Sequence, residues 1–589
     1  MRFSGKCAVL ALLVASVALL GCSWVSNSAS EPLRTVSASG DNPFGGGPAV
    51  EIPPDARAMG AFLRAEVAIN EGNREEALKG FAEAVQYDPN NPALRVRLAT
   101  LYVRDGQLKD ALEQCNAALK LDPNSTEALL LAAGISSALG DNSSAEQDYK
   151  RAIKIDPKNQ EAYLYLGTIY AKRGDYPDAE KTFQDLIKLD PTYFLGYYYA
   201  GKVEVAAKNY PEAEKYYTKA LELNEQSELV LLDFALLREL QGRPQDAIGY
   251  YEKIKKVNPN NELVRKRLAE IYVGQKKYDQ ALDELKKLEE VEADPADTRT
   301  KIGLLYFERQ EYEQAATEFN LVLGAQPNNY RVMYYLGTVY SELDENDKAI
   351  TEFNKIPDSS DQYVESRVQL AYLYDKQSKY DPALAALQAA LAKKPDDTEI
   401  MGFMVGVYQE KKQYTTAIDL ANKMIKLDPK NDKFHFTLGA LLDSNKQREA
   451  GVDEMKKAIE LNPKNAQALN YLGYTYAEQG TNLDEAEKLI KRALDIEPED
   501  GFYVDSLGWV YYQKGDYPKA VEQLERAVNL TGEDPTITEH LGDAYKKVGK
   551  LKDATHEYQD ALKKSTDPAQ ISRLKDKLQV LENASNASH

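Results

Sequence analysis

A step of thirty-four residues constrains this chain more than any other feature. Pro89, Pro123, Pro157 and Pro191 each follow the last by thirty-four positions, and Pro395, Pro429 and Pro463 resume the same step. Between two of these prolines the segment Asn159 to Pro191 reads NQEAYLYLGTIYAKRGDYPDAEKTFQDLIKLDP. Tyr163, Leu166, Gly167 and Tyr170 lie at i, i+3, i+4 and i+7, on one stripe of a helix. Gly174 and Asp175 interrupt the pattern, and Pro177 suits the first turn of a second helix, where its missing N–H costs nothing. Ala179, Phe183 and Leu186 restore helical spacing until Asp190-Pro191 ends it. The spacing therefore predicts a helical hairpin, with Gly167 and Ala179 small enough to let its two backbones approach. A single hairpin is too small to be stable. About half a dozen large apolar side chains supply roughly 10–15 kcal/mol, while ordering some thirty residues costs about 1.5 kcal/mol each. Its outer apolar surface has to be covered by a neighbouring hairpin.

Small residues recur in phase along the chain. The eighth position of the unit holds Ala99, Ala133, Gly167, Gly201, Gly303, Gly337, Gly473 and Gly508. The twentieth holds Ala77, Ala111, Ala145, Ala179, Ala315, Ala349, Ala486 and Ala520. With the prolines, this resembles the tetratricopeptide repeat (TPR) pattern W-x2-L-G-x2-Y, A-x3-F, P. The resemblance covers about fifteen units between Ala58 and Ser565. It implies an all-α, right-handed α-solenoid of helical hairpins over residues 58–567. Beyond Pro568, Ile571, Leu574, Leu578 and Leu581 form an apolar stripe on a charged helix, residues 568–583. That helix either caps the last unit or docks a partner. Residues 584–589 read as an unstructured tail.

Composition bounds function mainly by exclusion. The formal charge is −20. Removing Arg2 and Lys6, the only charges among the first twenty-one residues, takes it to −22. A chain this acidic repels nucleic acid and anionic lipid headgroups. Residues 1–21 read as a signal peptide, with a basic start and a thirteen-residue apolar run from Ala8 to Leu20, too short to span a bilayer. The sequence Leu19-Leu20-Gly21-Cys22 resembles the lipobox of bacterial lipoproteins. That resemblance implies cleavage before Cys22 and lipid on its sulfur and amine, and several acyl chains anchor far more firmly than one. Ser23 in place of an aspartate implies sorting to the outer membrane. Residues 22–57 are otherwise rich in Ser, Gly, Asn and Pro and read as a tether with a reach of about 30 Å. Trp24 is either an interfacial anchor or inert.

No arrangement of residues suggests a reaction centre. The four histidines, His435, His540, His556 and His589, form no H-E-x-x-H pair. No Cys/His cluster has zinc spacing. Asp344-Glu345-Asn346-Asp347 lacks the central glycine of a calcium loop. Cys115 falls on a core position as an inert thiol. The expectation is a non-enzyme without cofactor or metal. Breaks in phase are expected near 225, where Asn224-Glu225 replaces proline and the helix can run on, near 294, where two residues are added, and near 358, where Ile356 to Gln362 reads as a polar loop. Such breaks either bend the array or have no mechanical role.

In TPR proteins the first helix of each unit lines a concave groove through positions 2, 5, 9, 12 and 13. Those positions here include Tyr198, Tyr334, Phe436, Asn470, Tyr474, Asp505, Trp509, Phe307 and Tyr512. They do not match the Lys/Asn carboxylate clamp of chaperone-binding members. Aromatic rings on a wet face suit interface anchoring, unless closure of the superhelix buries them. The candidate partner-binding groove is thus Asn470, Tyr474, Asp505, Trp509 and Tyr512, with Tyr334 and Tyr198 further along. The layout resembles lipidated TPR proteins of the Gram-negative envelope. That implies a scaffold with protein partners on the periplasmic side of the outer membrane, either an adaptor for a protease or assembly complex, or a part of polysaccharide or pilus export machinery.

Overall fold

The computed structural model describes residues 53–532 and 534–587. The lipidation site Cys22, the signal peptide and nearly all of the tether lie outside them. Among the described residues there are thirty-one helices and no strands. Within the units described next, twenty-eight of them pair into fourteen antiparallel hairpins, four before the ninth helix and ten after the tenth. They fall into two compact units, one ending at Asn209 and one beginning at Tyr210.

One turn repeats in every hairpin. The fifteenth residue of the unit has a left-handed backbone each time, as glycine at Gly72, Gly106, Gly140 and Gly174 and as a non-glycine at Lys276, Gln310, Asp344 and Lys446. Its neighbour's N–H then returns to the first helix, as in Asp175 N to Tyr170 O at 2.9 Å. Several helix starts, mostly of the first helix in a hairpin, are closed by short polar side chains that satisfy free N–H groups of the first turn. Asn159 accepts from Ala162 N at 2.9 Å and Asp500 from Phe502 N at 2.9 Å.

Inside each hairpin the eighth residue faces the twenty-fourth. A Cβ placed on Gly167 would lie 2.5 Å from the Phe183 ring, and one on Gly337 would lie 2.7 Å from Phe353. The glycine expected to let backbones approach thus makes room for a ring instead. Backbones do approach where both small positions are glycine: a Cβ on Gly451 would lie 2.8 Å from the Gly439 carbonyl oxygen. Cys115 is fully buried, as its position predicts, and burial, then Asp148, pushes its thiol up to about 12.

The phase breaks have separate outcomes. Helix α10 (Tyr210–Leu223) does not run on at Asn224. The turn closes through Asn224 N to Ala220 O at 3.0 Å and Ser227 N to Asn224 O at 3.2 Å, so proline is not needed to stop the helix. Between α14 (Tyr278–Glu289) and α15 (Ala296–Glu308) the connection is longer, and Glu292 binds Lys266 at 2.6 Å and Thr298 at 2.5 Å. Helix α18 (Asn346–Asn354) is cut to nine residues. The loop after it is not wholly polar, because Ile356 is buried in the core, and the half-buried Arg367 donates to the Phe353 carbonyl at the helix end. The last helix, α31 (Pro568–Ala587), continues past the expected end at 583.

Helix α31 covers the last hairpin, α29 (Pro535–Lys547) with α30 (Leu551–Lys564). Leu574 and Leu581 bury against Tyr558 and Ala561. Glu539, 4% exposed, receives Arg573 Nε at 2.7 Å and Lys577 Nζ at 2.8 Å, and Gln570 Nε2 donates to it at 3.1 Å. The stripe read from the sequence is a cap.

Candidate interaction groove

Helices α25 (Ala466–Glu478), α27 (Gly501–Lys514) and α29 bring the sequence-predicted residues together at one end of the second unit. Asp505 and Trp509 lie one turn apart on α27, and Tyr512 follows. His540 of α29 completes the cluster. Its Nδ1 lies 2.9 Å from Asp505 Oδ1, and its ring stacks on the Trp509 indole at 4.2 Å and 22°. Tyr512 stacks on the same indole at 4.7 Å and 5°, and meets Tyr517 edge-on at 5.6 Å.

The electrostatics follow from burial. Asp505 is buried and acts as partner to His540. Burial disfavours the imidazolium, but the carboxylates of Asp505, Asp543 and Glu539 outweigh it and hold His540 above its ordinary value. Burial, then Asp543 and Tyr517, pushes the Tyr512 phenol up to about 12. Burial, then Asp505 and Glu478, does the same for Tyr474. Asn470 Oδ1 is shut away from solvent without a hydrogen-bond partner among the described residues.

Of the two readings, an open anchor or a ring buried by its neighbours, Trp509 and Asp505 follow the second. The indole has two rings stacked against it, and the carboxylate is already paired, because close stacking of consecutive hairpins brings His540 onto α27. Tyr198, in the first unit, is buried with its ring 4.9 Å from Tyr199 and its hydroxyl 3.2 Å from Lys202 Nζ. Tyr334 is half-buried against Phe353 at 5.7 Å. Phe436 packs edge-on against Tyr471 and Phe307 against Tyr312. Most of the aromatic inner face is therefore packing.

What stays exposed is different, and partly missed by sequence reasoning. Phe502 is 58% exposed and Tyr372 55%. Both sit at inner positions, 2 and 9, of the same set that carried the other candidates. On α11 (Glu228–Leu240) Leu229 and Leu240 are largely exposed, with Leu232 and Leu236 half-buried between them. On α13 (Glu262–Gly274) Leu263 and Val273 are exposed as well. Regular spacing of leucine at positions 2, 5, 9 and 13 of that unit was the available signal. Among the described residues no His/Cys/Asp/Glu group could hold a metal ion, and no helix is long and apolar enough to cross a membrane.

Comparison with known proteins agrees with the fold. Models described as tetratricopeptide repeat match residues 68–135, 136–196, 239–299 and 376–442. Others match 170–228, 198–262 and 300–363, 432–465 and 454–488, and a TPR repeat model matches 508–549. Solved structures similar to this chain include a tetratricopeptide repeat protein from Parabacteroides merdae ATCC 43184 at 20% identity, covering 42% of this chain and 98% of that one, with a TM-score of 0.35. YrrB, a TPR protein with an unusual peptide-binding site, matches at 20% identity over 30% of this chain and 90% of its own, with a TM-score of 0.27. The hetero-tetramer Cut9-Hcn1 matches at 15% identity over 84% and 98%, with a TM-score of 0.31. Among curated proteins none matches by sequence. Fourteen in-phase hairpins and family matches along most of its length establish that this chain belongs to the tetratricopeptide repeat family.

Proposed function

We propose that the chain is a non-catalytic scaffold that holds protein partners on the inner faces of its first helices, tethered through lipid on Cys22 to the periplasmic side of the outer membrane. The observation that carries the binding role is the apolar surface left open there. Leu229, Leu240, Leu263 and Phe502 are 56%, 63%, 42% and 58% exposed in a chain whose core is otherwise closed. Large apolar groups open on the neighbouring helices α11 and α13, and again at Phe502, favour amphipathic or extended apolar segments of a partner. The membrane role rests on the sequence Leu19-Leu20-Gly21-Cys22 alone. Within that role, an adaptor delivering an envelope protease or assembly complex to its clients fits the layout of leader, tether and array.

The test is affinity capture from detergent-solubilised envelope with the wild-type chain and with a Leu229→Asp/Leu240→Asp/Phe502→Asp variant of unchanged helicity. Partners recovered by the first and lost by the second support the groove, and equal recovery by both refutes it. A protease with cell-wall hydrolases among those partners supports the adaptor reading, whereas a synthase or porin favours export machinery. Labelled palmitate should enter the wild-type chain and not the Cys22→Ser variant. No label in either removes the membrane part of the proposal.

A further inference from the structure

The fourth residue of the unit makes the same pair of contacts in three hairpins, twice as arginine and once as histidine. Arg95 donates to the Pro89 carbonyl six residues earlier at 2.8 Å and to Gln114 nineteen residues later at 3.0 Å. Arg265 donates to the Pro259 carbonyl and, at 2.6 Å, to Glu284. His435 repeats both contacts with the two nitrogens of its ring. Nδ1 lies 2.6 Å from Glu454 Oε2, and Nε2 lies 3.2 Å from the Pro429 carbonyl oxygen. The ring thus ties the loop before α23 (Asp432–Ser444) to α24 (Arg448–Leu461), the second helix of its hairpin.

Both oxygens accept, so the number of protons on the ring decides how many bonds it makes. A charged imidazolium has two N–H groups and satisfies both, as a guanidinium does. A neutral ring has one N–H and turns a lone pair towards the other oxygen, which leaves a buried acceptor unpaired. Arginine keeps its charge at every physiological pH, whereas histidine changes charge between about pH 5 and 8. Among the described residues the ring bonds to nothing else. Helices α22 (Tyr414–Leu427) and α24 pack on α23. From α22 come Ala421, Met424 and Ile425, apolar residues of the core it shares with α23. On α24 the second oxygen of Glu454 takes Lys457 at 2.7 Å. Asp432, three residues before the ring, is occupied by the Asn462 and Asn465 amides, and Lys430 and Lys433 are exposed.

We infer that His435 is a proton-operated latch in the α23–α24 hairpin, closed on the acid side of neutrality as the arginine hairpins always are, and released as pH rises. Burial, at 7% exposure, favours the neutral ring, and the carboxylate opposite favours the charged one. That carboxylate keeps its charge. Burial raises it, but Lys457 and then His435 outweigh burial and hold it below its ordinary range. The charged ring makes two bonds in the folded hairpin and the neutral ring one, so folding favours the proton. The latch is therefore whole below the ordinary histidine midpoint of about 6.5 and is lost as pH rises above it. Phe436, the next residue, meets Tyr471 of the following hairpin at 6.3 Å, so the latch adjoins a contact on the inner face.

Hydrogen exchange of peptides from 432–461 in the purified full chain, at about pH 6 and about pH 8, tests this. Comparing variants at one pH removes the pH dependence of the exchange chemistry itself. His435→Gln, which carries no proton to lose, should exchange about tenfold faster than wild type at the lower pH and nearly match it at the higher. His435→Arg should match wild type at the lower pH and exchange more slowly than it at the higher. A gap between wild type and His435→Gln that is equal at both pH values, or wider at the higher, overturns the inference. That comparison decides alone where the longer arginine fails to seat and exchanges fast at both.

Discussion

Removing the charge of Glu539 should loosen the capping helix and leave the rest of the array untouched. Glu539 is 4% exposed and is held by Arg573, Lys577 and Gln570, all on α31. Burial alone would raise its carboxyl, but the two cations reverse that and depress it from the ordinary 4.5 to about 2. At about 1.4 kcal/mol per unit of pKa, that displacement corresponds to about 3 kcal/mol. Arg573 is 53% exposed, so solvent screening reduces the figure to about 2 kcal/mol. In a quasi-one-dimensional array each unit feels only its neighbours, so the loss should appear as local opening. Hydrogen exchange of peptides from 568–583 in Glu539→Gln should speed up by about thirty-fold, with exchange in the first unit unchanged. The sign with pH is fixed. A carboxyl whose folded pKa is depressed stabilises fully above about 4.5, and that stability is lost as pH falls towards about 2. The wild-type cap should therefore loosen on acidification, while the variant shows a smaller dependence. Unchanged exchange in 568–583, or acceleration spread evenly over all helices, would refute the reasoning.

The fit of Gly337 to Phe353 can be tested in a cycle. Gly337→Ala drives a methyl to 2.7 Å from the ring, at a cost of about 1–3 kcal/mol offset by about 1 kcal/mol of helix propensity. Adding Phe353→Leu should cost less in the double variant than the two singles sum to by chemical denaturation. Gln310 holds the left-handed turn position with φ 61, so Gln310→Gly should raise the stability of its hairpin by about 0.5–1 kcal/mol. In a Trp24→Phe background, emission of Trp509 should titrate with a midpoint above 6.5, because His540, stacked on it, keeps its proton through Asp505, Asp543 and Glu539. The pair is intact below that midpoint and weakens above it. His540→Gln should abolish the titration.

The array was legible because the same information is written fifteen times. The in-phase small residues and prolines give helix, turn and partner face at once, and the cap follows from a lone apolar stripe after the last hairpin. Single departures were harder to read. Asn224 in place of proline suggested a longer helix, yet the turn closes through backbone hydrogen bonds that any residue there can make. Ile356 sits in a stretch that looks polar, but a helix cut short at Asn354 still needs an apolar residue to seal its end. In the groove, the helical period found which residues share an inner face without showing what they touch. Trp509 and His540 are thirty-one residues apart, and their stacking depends on the pose of one hairpin against the next. Exposure of Phe502 and Tyr372 depends on that pose as well.

The same dependence separates two kinds of aromatic residue that composition treats alike. Tyr512 and Trp509 are joined to each other and to His540, so replacing them removes packing between consecutive hairpins before it removes any surface. Phe502 and Leu240 are 58% and 63% exposed and appear in no buried core cluster, so replacing them changes what the groove offers and little of what holds it up. Binding energy concentrates in large side chains that lose water on association, and rings already stacked have less water left to lose. On the scaffold reading proposed above, the residues with most water to lose to a partner are Leu229 and Leu240 of α11, Leu263 of α13 and Phe502. The Trp509 cluster instead joins α27 to α29 through the indole–imidazole stack and the Asp505–His540 pair.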